Sequence, residues 1–249
     1  MDGVEVNWPA PAWVRTLSTT RYGGVSQGPW ASLNLGDHCG DLPEHVQANR
    51  QQVARVMGAD PLWLKQVHGK DVVCCGVAST GVPMGDAALT VLPHHPVGVL
   101  TADCLPVLLC HESRRVVAVA HAGWRGLVAG VIEATVRSMD VDVRGVLAWL
   151  GPAIGPDAFE VGPEVREAFL AQDERASWAF RKGQGDRWLA DLYQLARGRL
   201  GNVGVERVYG GGLCTVKDAR FFSYRREGGV TGRMGHFIWM VEGAGGASV

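Results

Sequence analysis

The chain has 249 residues, 47% of them apolar and 20% charged, with 24 Lys and Arg against 25 Asp and Glu for a formal charge of −1. That is ample material for a large core and excludes a disordered chain. No charge block exceeds three consecutive residues, so no footprint for nucleic acid or an anionic membrane is expected. The longest apolar runs, such as Val116–Ala120 and Val146–Leu150, are five residues long, whereas a membrane span needs roughly 20. Met1-Asp2-Gly3-Val4-Glu5 lacks the basic start and apolar stretch of a signal peptide, so a cytoplasmic protein is expected. Six cysteines (Cys39, Cys74, Cys75, Cys104, Cys110, Cys214) are too sparse for a disulfide framework and read as reduced thiols.

In chain order, Arg15–Thr19 reads as a first strand, followed by a glycine-rich loop from Tyr22 to His38. Val46, Arg50, Val53 and Met57 or Val56 recur at helical spacing. With Asp41 as N-cap, Pro43 in the first turn and Gly58 as a stop, they predict a helix over Leu42–Met57. From Trp63 the pattern changes to short β-branched runs between turn signals: Trp63–Val67, Val72–Val77, Ala87–Leu92, Val97–Thr101, Val107–Cys110 and Val116–Ala120. After His121-Ala122-Gly123 the period becomes 3.6, with Leu127, Val128, Val131, Ile132, Thr135, Val136 and Met139 on one stripe. A strand at Val146–Leu150, helices around Pro163–Gln172 and Asp186–Leu200, and strands at Val205–Tyr209 and Phe237–Met240 complete the pattern. The 34 glycines, about twice average usage, imply many tight turns. No linker poor in apolar residues interrupts the chain, which predicts one domain over 1–249 with a short frayed tail at 243–249. Irregular mixing of strands and helices favours α+β or layered α/β over a regular Rossmann repeat.

Gly24-Val25-Ser26-Gln27-Gly28 matches the nucleophile-elbow pattern, but no helical stripe comes after it, so it reads as a loop. The zinc deaminase and H-E-x-x-H signatures, the P-loop and a G-x-G-x-x-G after a strand are all absent. His68, Cys104 and His121 each sit at or beside a predicted strand end, and strand ends of one sheet can converge on a common rim. Two imidazoles and a thiolate would suit zinc with a fourth position open to water, whose pKa the metal would lower. Two other readings stay open: buried core residues, or Cys104 as a nucleophile with His121 as its base. The remaining cysteines read mostly as small core residues. Arg125, in the first turn of the helix after His121, suits an anion, or else packs over Trp124.

A series of ordered segments runs through the chain: Thr20-Arg21-Tyr22-Gly23-Gly24-Val25-Ser26, Ser32-Leu33-Asn34-Leu35-Gly36, Lys65-Gln66-Val67-His68-Gly69, Gly85-Asp86-Ala87, Ala102-Asp103-Cys104, His121-Ala122-Gly123-Trp124-Arg125-Gly126 and Phe221-Phe222-Ser223-Tyr224-Arg225-Arg226 with Thr231-Gly232-Arg233. Together they resemble the YfiH-like family, also called the laccase-domain or multicopper polyphenol oxidoreductase family. The resemblance implies an α+β fold, a layered α/β/β/α sandwich with mixed sheets, and a zinc site of His68, Cys104 and His121. It also implies activity on purine nucleosides: phosphorolysis of adenosine, inosine and methylthioadenosine, and deamination of adenosine to inosine. The family name implies copper, yet the chain has eight histidines and no H-x-H pair, so the paired ligands of a multicopper oxidase are missing. Copper could still enter a lone Cys/His/His site in vitro. On the nucleoside reading, Asp103 or Asp86 would shuttle the proton and Arg125 with Arg21 would hold phosphate. Gln66 and Asn34 would bond ribose or base. A rival is a Cys/His or zinc hydrolase that edits misbuilt peptidoglycan precursors as an amidase. A third is a binding module whose metal only supports the fold.

Overall fold

The computed structural model describes residues 3–76 and 81–242. The elements in chain order are β1 (Gly3–Val4), β2 (Val14–Thr19), α1 (Pro43–Met57), β3 (Val72–Cys74), β4 (Ala87–Thr90), β5 (Val97–Thr101), β6 (Leu105–His111), β7 (Val117–Ala122), α2 (Trp124–Ala129) and α3 (Val131–Ser138). Beyond these lie β8 (Val146–Leu150), β9 (Glu160–Val161), α4 (Pro163–Leu170), β10 (Phe180–Lys182), β11 (Trp188–Ala190), α5 (Leu192–Asn202), β12 (Arg207–Gly210) and β13 (Met234–Met240).

A six-stranded mixed sheet, β12-β8-β6-β7-β4-β3, faces a four-stranded sheet, β1-β2-β13-β5. The short apolar runs β6, β7 and β8 are central strands of the larger sheet and β5 is an edge strand of the smaller one, and all four are buried along their whole lengths between the layers. Alternation sorts their side chains. Val107, Leu109, Ala118 and Ala120 form one core with the helix residues Leu127, Val131, Ile132 and Leu195. Val117, Val119 and Leu108 turn the other way and meet Val97, Val99, Ile238 and Met240 of the second sheet. On the far side of that second sheet, Val53 and Met57 of α1 pack with Leu33, Leu35, Phe237 and Trp239. The layers are therefore α/β/β/α, as the resemblance implies.

Several local expectations are corrected. Trp63–Val67 is a loop without a strand ladder: single bridges join Leu62 to Val97 and Lys65 to Met84, and the Gln66 side chain bonds Leu100 of β5. The strand expected over Val72–Val77 ends at Cys74, and Val77 lies outside the described residues, as does the 243–249 tail. The helix α1 is capped by Leu42 rather than Asp41. The Asp41 carboxylate instead accepts from Ser26 Oγ, Asn34 Nδ2 and the Leu42 N–H, so Ser26 belongs to a loop network. Gly130, at φ 89°, splits the single predicted helix into α2 and α3. The helix expected from Asp186 begins at Leu192, because Trp188–Ala190 pairs with β9 and β10 and Asp191 caps α5. Of the cysteines expected in the core, only Cys110 is buried; Cys74 is exposed on an edge strand, and Cys39, Cys75 and Cys214 are half-buried.

Candidate active site

Strand register builds the site. In the β6/β7 pair Leu105 lies opposite Ala122 and Pro106 opposite His121, so Cys104, just before β6, meets Gly123, just after β7. A Cβ on Gly123 would stand 2.7 Å from Cys104 Sγ and 3.5 Å from His68 Cδ2. Glycine is required there by the closeness of the sulfur. Asp86 immediately precedes β4, whose first residue Ala87 pairs with Ala120, and the His121 N–H donates to the Asp86 carbonyl at 2.7 Å.

The Asp86 side chain organises both histidines. Its Oδ1 accepts from His121 Nδ1 at 2.8 Å and from the His68 N–H at 2.9 Å, while Oδ2 accepts from the Gly69 and Val67 N–H groups. Burial alone would push this carboxyl up. The hydrogen bond from His121, then that from Gly69, outweigh it and hold the carboxyl below its ordinary range. The three successive N–H groups also sustain His68 at φ 61°, a conformation a non-glycine residue adopts only when its surroundings impose it. With the Nδ1 proton of His121 committed to a carboxylate, Nε2 is left as the donor atom toward the cavity, the usual support of a metal-binding imidazole.

The two imidazole rings lie 4.8 Å apart, centroid to centroid, and one donor atom from each of His68, Cys104 and His121 falls within 4.8 Å of the others. Burial opposes ionisation of the Cys104 thiol, but the charge of His121 and hydrogen bonds from His121 and His68 overcome it and bring the thiol to about 6. Burial likewise opposes the charge on His121, which Cys104 and Asp86 lift to about 9. The thiolate is already in its metal-binding form, and the His121 imidazolium would release its Nε2 proton to an ion while Asp86 keeps the Nδ1 proton, so the residues fit a zinc-class ion with room for a fourth ligand. They are the one such group among the described residues.

The donor set lies in the wall of a cavity of about 470 Å³ that also presents Arg125, Arg225, Arg233, His38, Gln66, Trp124, Phe159 and Tyr224. Trp124 carries Arg125 on its face at 4.5 Å, and Arg233 lies 5.8 Å from the Tyr224 ring centre. Behind one wall, His236 is buried between Ser18 Oγ and Thr101 Oγ1 at 2.8 and 2.9 Å. Burial first, and the charge of His121 second, push it down to about 3, so it stays neutral.

The other sequence-derived residues divide. Arg125 faces the cavity. Gln66 lines it, but its amide is engaged with both backbone groups of Leu100. Asn34 and Arg21 are not in its wall. The Asn34 side chain is fully buried and bonds Gly36, Asp41 and the Arg233 N–H. Arg21 pairs with Glu227 at 2.6 Å and bonds the Ala31 carbonyl. Both serve backbone groups of irregular loops that have no sheet partner. Asp86 and Asp103, expected as proton shuttles, have their carboxylates occupied; Asp103 accepts from Thr215 Oγ1 and the Arg225 N–H. Arg225, Arg233, Tyr224 and Phe159 were missed as site residues. For the first three, the only signal was membership of the Phe221–Arg233 motif, since that loop folds back on the site from over 100 residues away.

Fold and donor set together define an α+β protein of the laccase-like class with a His/Cys/His group that could hold a metal. The chain belongs to the family described as multi-copper polyphenol oxidoreductase laccase, whose model matches residues 15–241. It is 54% identical over 237 residues to the Escherichia coli protein named purine nucleoside phosphorylase YfiH, covering 94% of this chain and 97% of that one. A Pseudomonas aeruginosa protein, also named a purine nucleoside phosphorylase, is 51% identical over 236 residues, 94% of this chain and 96% of its own. Among solved structures, Neisseria meningitidis NMB0706 superposes with a TM-score of 0.94 at 48% identity, covering 97% of this chain and 100% of that one. YlmD from Geobacillus stearothermophilus gives 0.87 at 31% identity, covering 93% of each chain.

Proposed function

We propose that this chain is a zinc-dependent purine nucleoside phosphorylase acting on adenosine, inosine and methylthioadenosine, and that it also deaminates adenosine to inosine. The observation that carries this reading is a single cavity combining the His68/Cys104/His121 donor set with three arginines and three aromatic rings. The names of the two bacterial relatives support it. In phosphorolysis a phosphate oxygen bonds to ribose C1′ as the bond from C1′ to the purine N9 breaks, and the base leaves with a proton. Arg125, Arg225 and Arg233 supply fixed positive charge for the phosphate and for the negative charge in the transition state. Trp124, Phe159 and Tyr224 offer faces for the purine and displace water from it. Asp86 holds the Nδ1 proton of His121, so that the ring keeps one orientation throughout. Zinc held by His68, Cys104 and His121 would supply a Lewis acid and an activated water for the hydrolysis at C6.

The test is incubation of the zinc-loaded protein with inosine, adenosine and methylthioadenosine, with and without phosphate. Phosphate-dependent release of the free base with ribose 1-phosphate is expected. No base release at saturating phosphate refutes the reading. A second reading, an amidase that edits misbuilt peptidoglycan precursors, is favoured by the Cys104–His121–Asp86 series, in which a low-pKa thiol adjoins an oriented imidazole. It predicts amide hydrolysis by zinc-free protein that iodoacetamide abolishes.

A further inference from the structure

Asp103 is buried and adopts φ 88° in the turn between β5 and β6, immediately before Cys104. Three ties hold it there. Its Oδ1 accepts from Thr215 Oγ1 at 2.5 Å, its Oδ2 from the Arg225 N–H at 2.7 Å, and its carbonyl from the Ile154 N–H at 2.9 Å. One lone pair on each oxygen is committed to a protein donor, so the carboxylate is not a free base at the cavity wall. It instead fastens the loop carrying Arg225 to the turn carrying Cys104. The Arg225 guanidinium is aimed from the other side: Nη1 and Nη2 donate to the Ala158 and Glu160 carbonyls, and Phe159 lies 5.7 Å beneath. Two of its five N–H groups are used, and the rest remain for a ligand in the cavity that Arg225, Asp103 and Cys104 all line.

We infer that Asp103 is a positioning residue that sets Arg225 as the orthophosphate-binding arginine, locking the anion subsite to the metal-binding turn. This rests on the phosphorolysis reading. The arginine is anchored at both its backbone and its side chain before any anion arrives, so little is left to order on binding. Asp103 serves the phosphate half of the reaction, and the nucleoside half does not depend on it.

Two substitutions separate this role from general support of the fold. Asp103→Asn keeps the left-handed backbone, which asparagine tolerates. Its oxygen can face the Arg225 N–H while its NH₂ donates to the Thr215 hydroxyl, so both ties survive. Asp103→Gly also keeps the backbone but removes both side-chain ties. Inorganic phosphate binding is measured by titration calorimetry on zinc-loaded protein, beside zinc content, thermal midpoint and the KM for each substrate. For Asp103→Gly we expect at least a tenfold rise in Kd and KM for phosphate, with zinc stoichiometry and nucleoside KM within twofold of wild type. Asp103→Asn should stay within threefold throughout. An unchanged phosphate Kd in Asp103→Gly overturns the inference, as does loss of zinc in parallel with phosphate. Should Asp103→Gly not fold, Thr215→Val, which removes one tie, is read by the same criteria with an expected threefold to tenfold rise. Wild-type protein that binds phosphate but does not turn over nucleosides would count against the phosphorylase reading alone, because the calorimetric comparison does not depend on turnover.

Discussion

Replacing Gly123 by alanine isolates the closeness of packing on which the donor set depends. Gly123 sits at φ −66° and ψ 166°, which alanine adopts freely, so the backbone tolerates the change. The new Cβ would stand 2.7 Å from Cys104 Sγ. Ordinary contact begins near about 3.5 Å, so the sulfur must withdraw by about 1 Å. That is several times the roughly 0.2 Å within which a metal–ligand distance is held. Changes around a metal site cost about 10–100-fold in affinity, and displacement of a ligand itself belongs at the upper end, close to ~100-fold. In free energy this is about 2.7 kcal/mol. Alanine at the start of α2 should cost the fold only about 1 kcal/mol or less. Chelator competition gives the zinc affinity, and thermal unfolding of the metal-free protein gives the stability. A zinc affinity within threefold of wild type refutes the packing argument, and so does a loss that merely tracks unfolding.

Asp86→Asn would present an NH₂ to donors that now share a carboxylate. A loss of about 1–3 kcal/mol in stability and about 10–100-fold in zinc affinity is expected, measured by denaturant unfolding and chelator competition; retention of both contradicts the role given to Asp86. His236 titrates near 3 in the fold against about 6.5 unfolded. Its contribution is complete above the unfolded value and lost as pH falls, by about 2 kcal/mol at pH 5. His236→Gln, which keeps hydrogen-bonding capacity without titrating in this range, should flatten stability against pH between 5 and 6.5; an unchanged slope in urea titrations refutes the assignment. In metal-free protein, alkylation of Cys104 should rise with a midpoint at about pH 6, far below the about 8.5 of a free thiol. Zinc should suppress it, and a midpoint above 8 would show that His121 does not stabilise the thiolate.

The layered fold was legible because its buried strands are short apolar runs with glycine and polar punctuation, and Val146–Leu150 is read to the residue. Trp63–Val67 and Asp186–Leu200 misled because period and propensity do not reveal what a segment pairs with. Cys104 and His121 could be singled out because they lie at strand ends that register brings together, whereas His68, taken to follow a strand, sits in a loop that the Asp86 carboxylate holds against them. The carboxylates that orient the site could not be assigned in the same way. The hydrogen bonds of Asp86 span 35 residues to His121, and those of Asp103 span 122 residues to Arg225. Arg21 and Asn34 drew attention as polar residues in distinctive motifs, yet each satisfies backbone groups of a glycine-rich loop.

The most direct measurement strips the protein of metal and restores zinc in sub-stoichiometric steps while monitoring phosphate-dependent base release from inosine. The account predicts activity that rises linearly and saturates at one zinc per chain, with no rise in His68→Ala or Cys104→Ser. Full phosphorolysis in the stripped protein, or saturation unrelated to one equivalent, would contradict it.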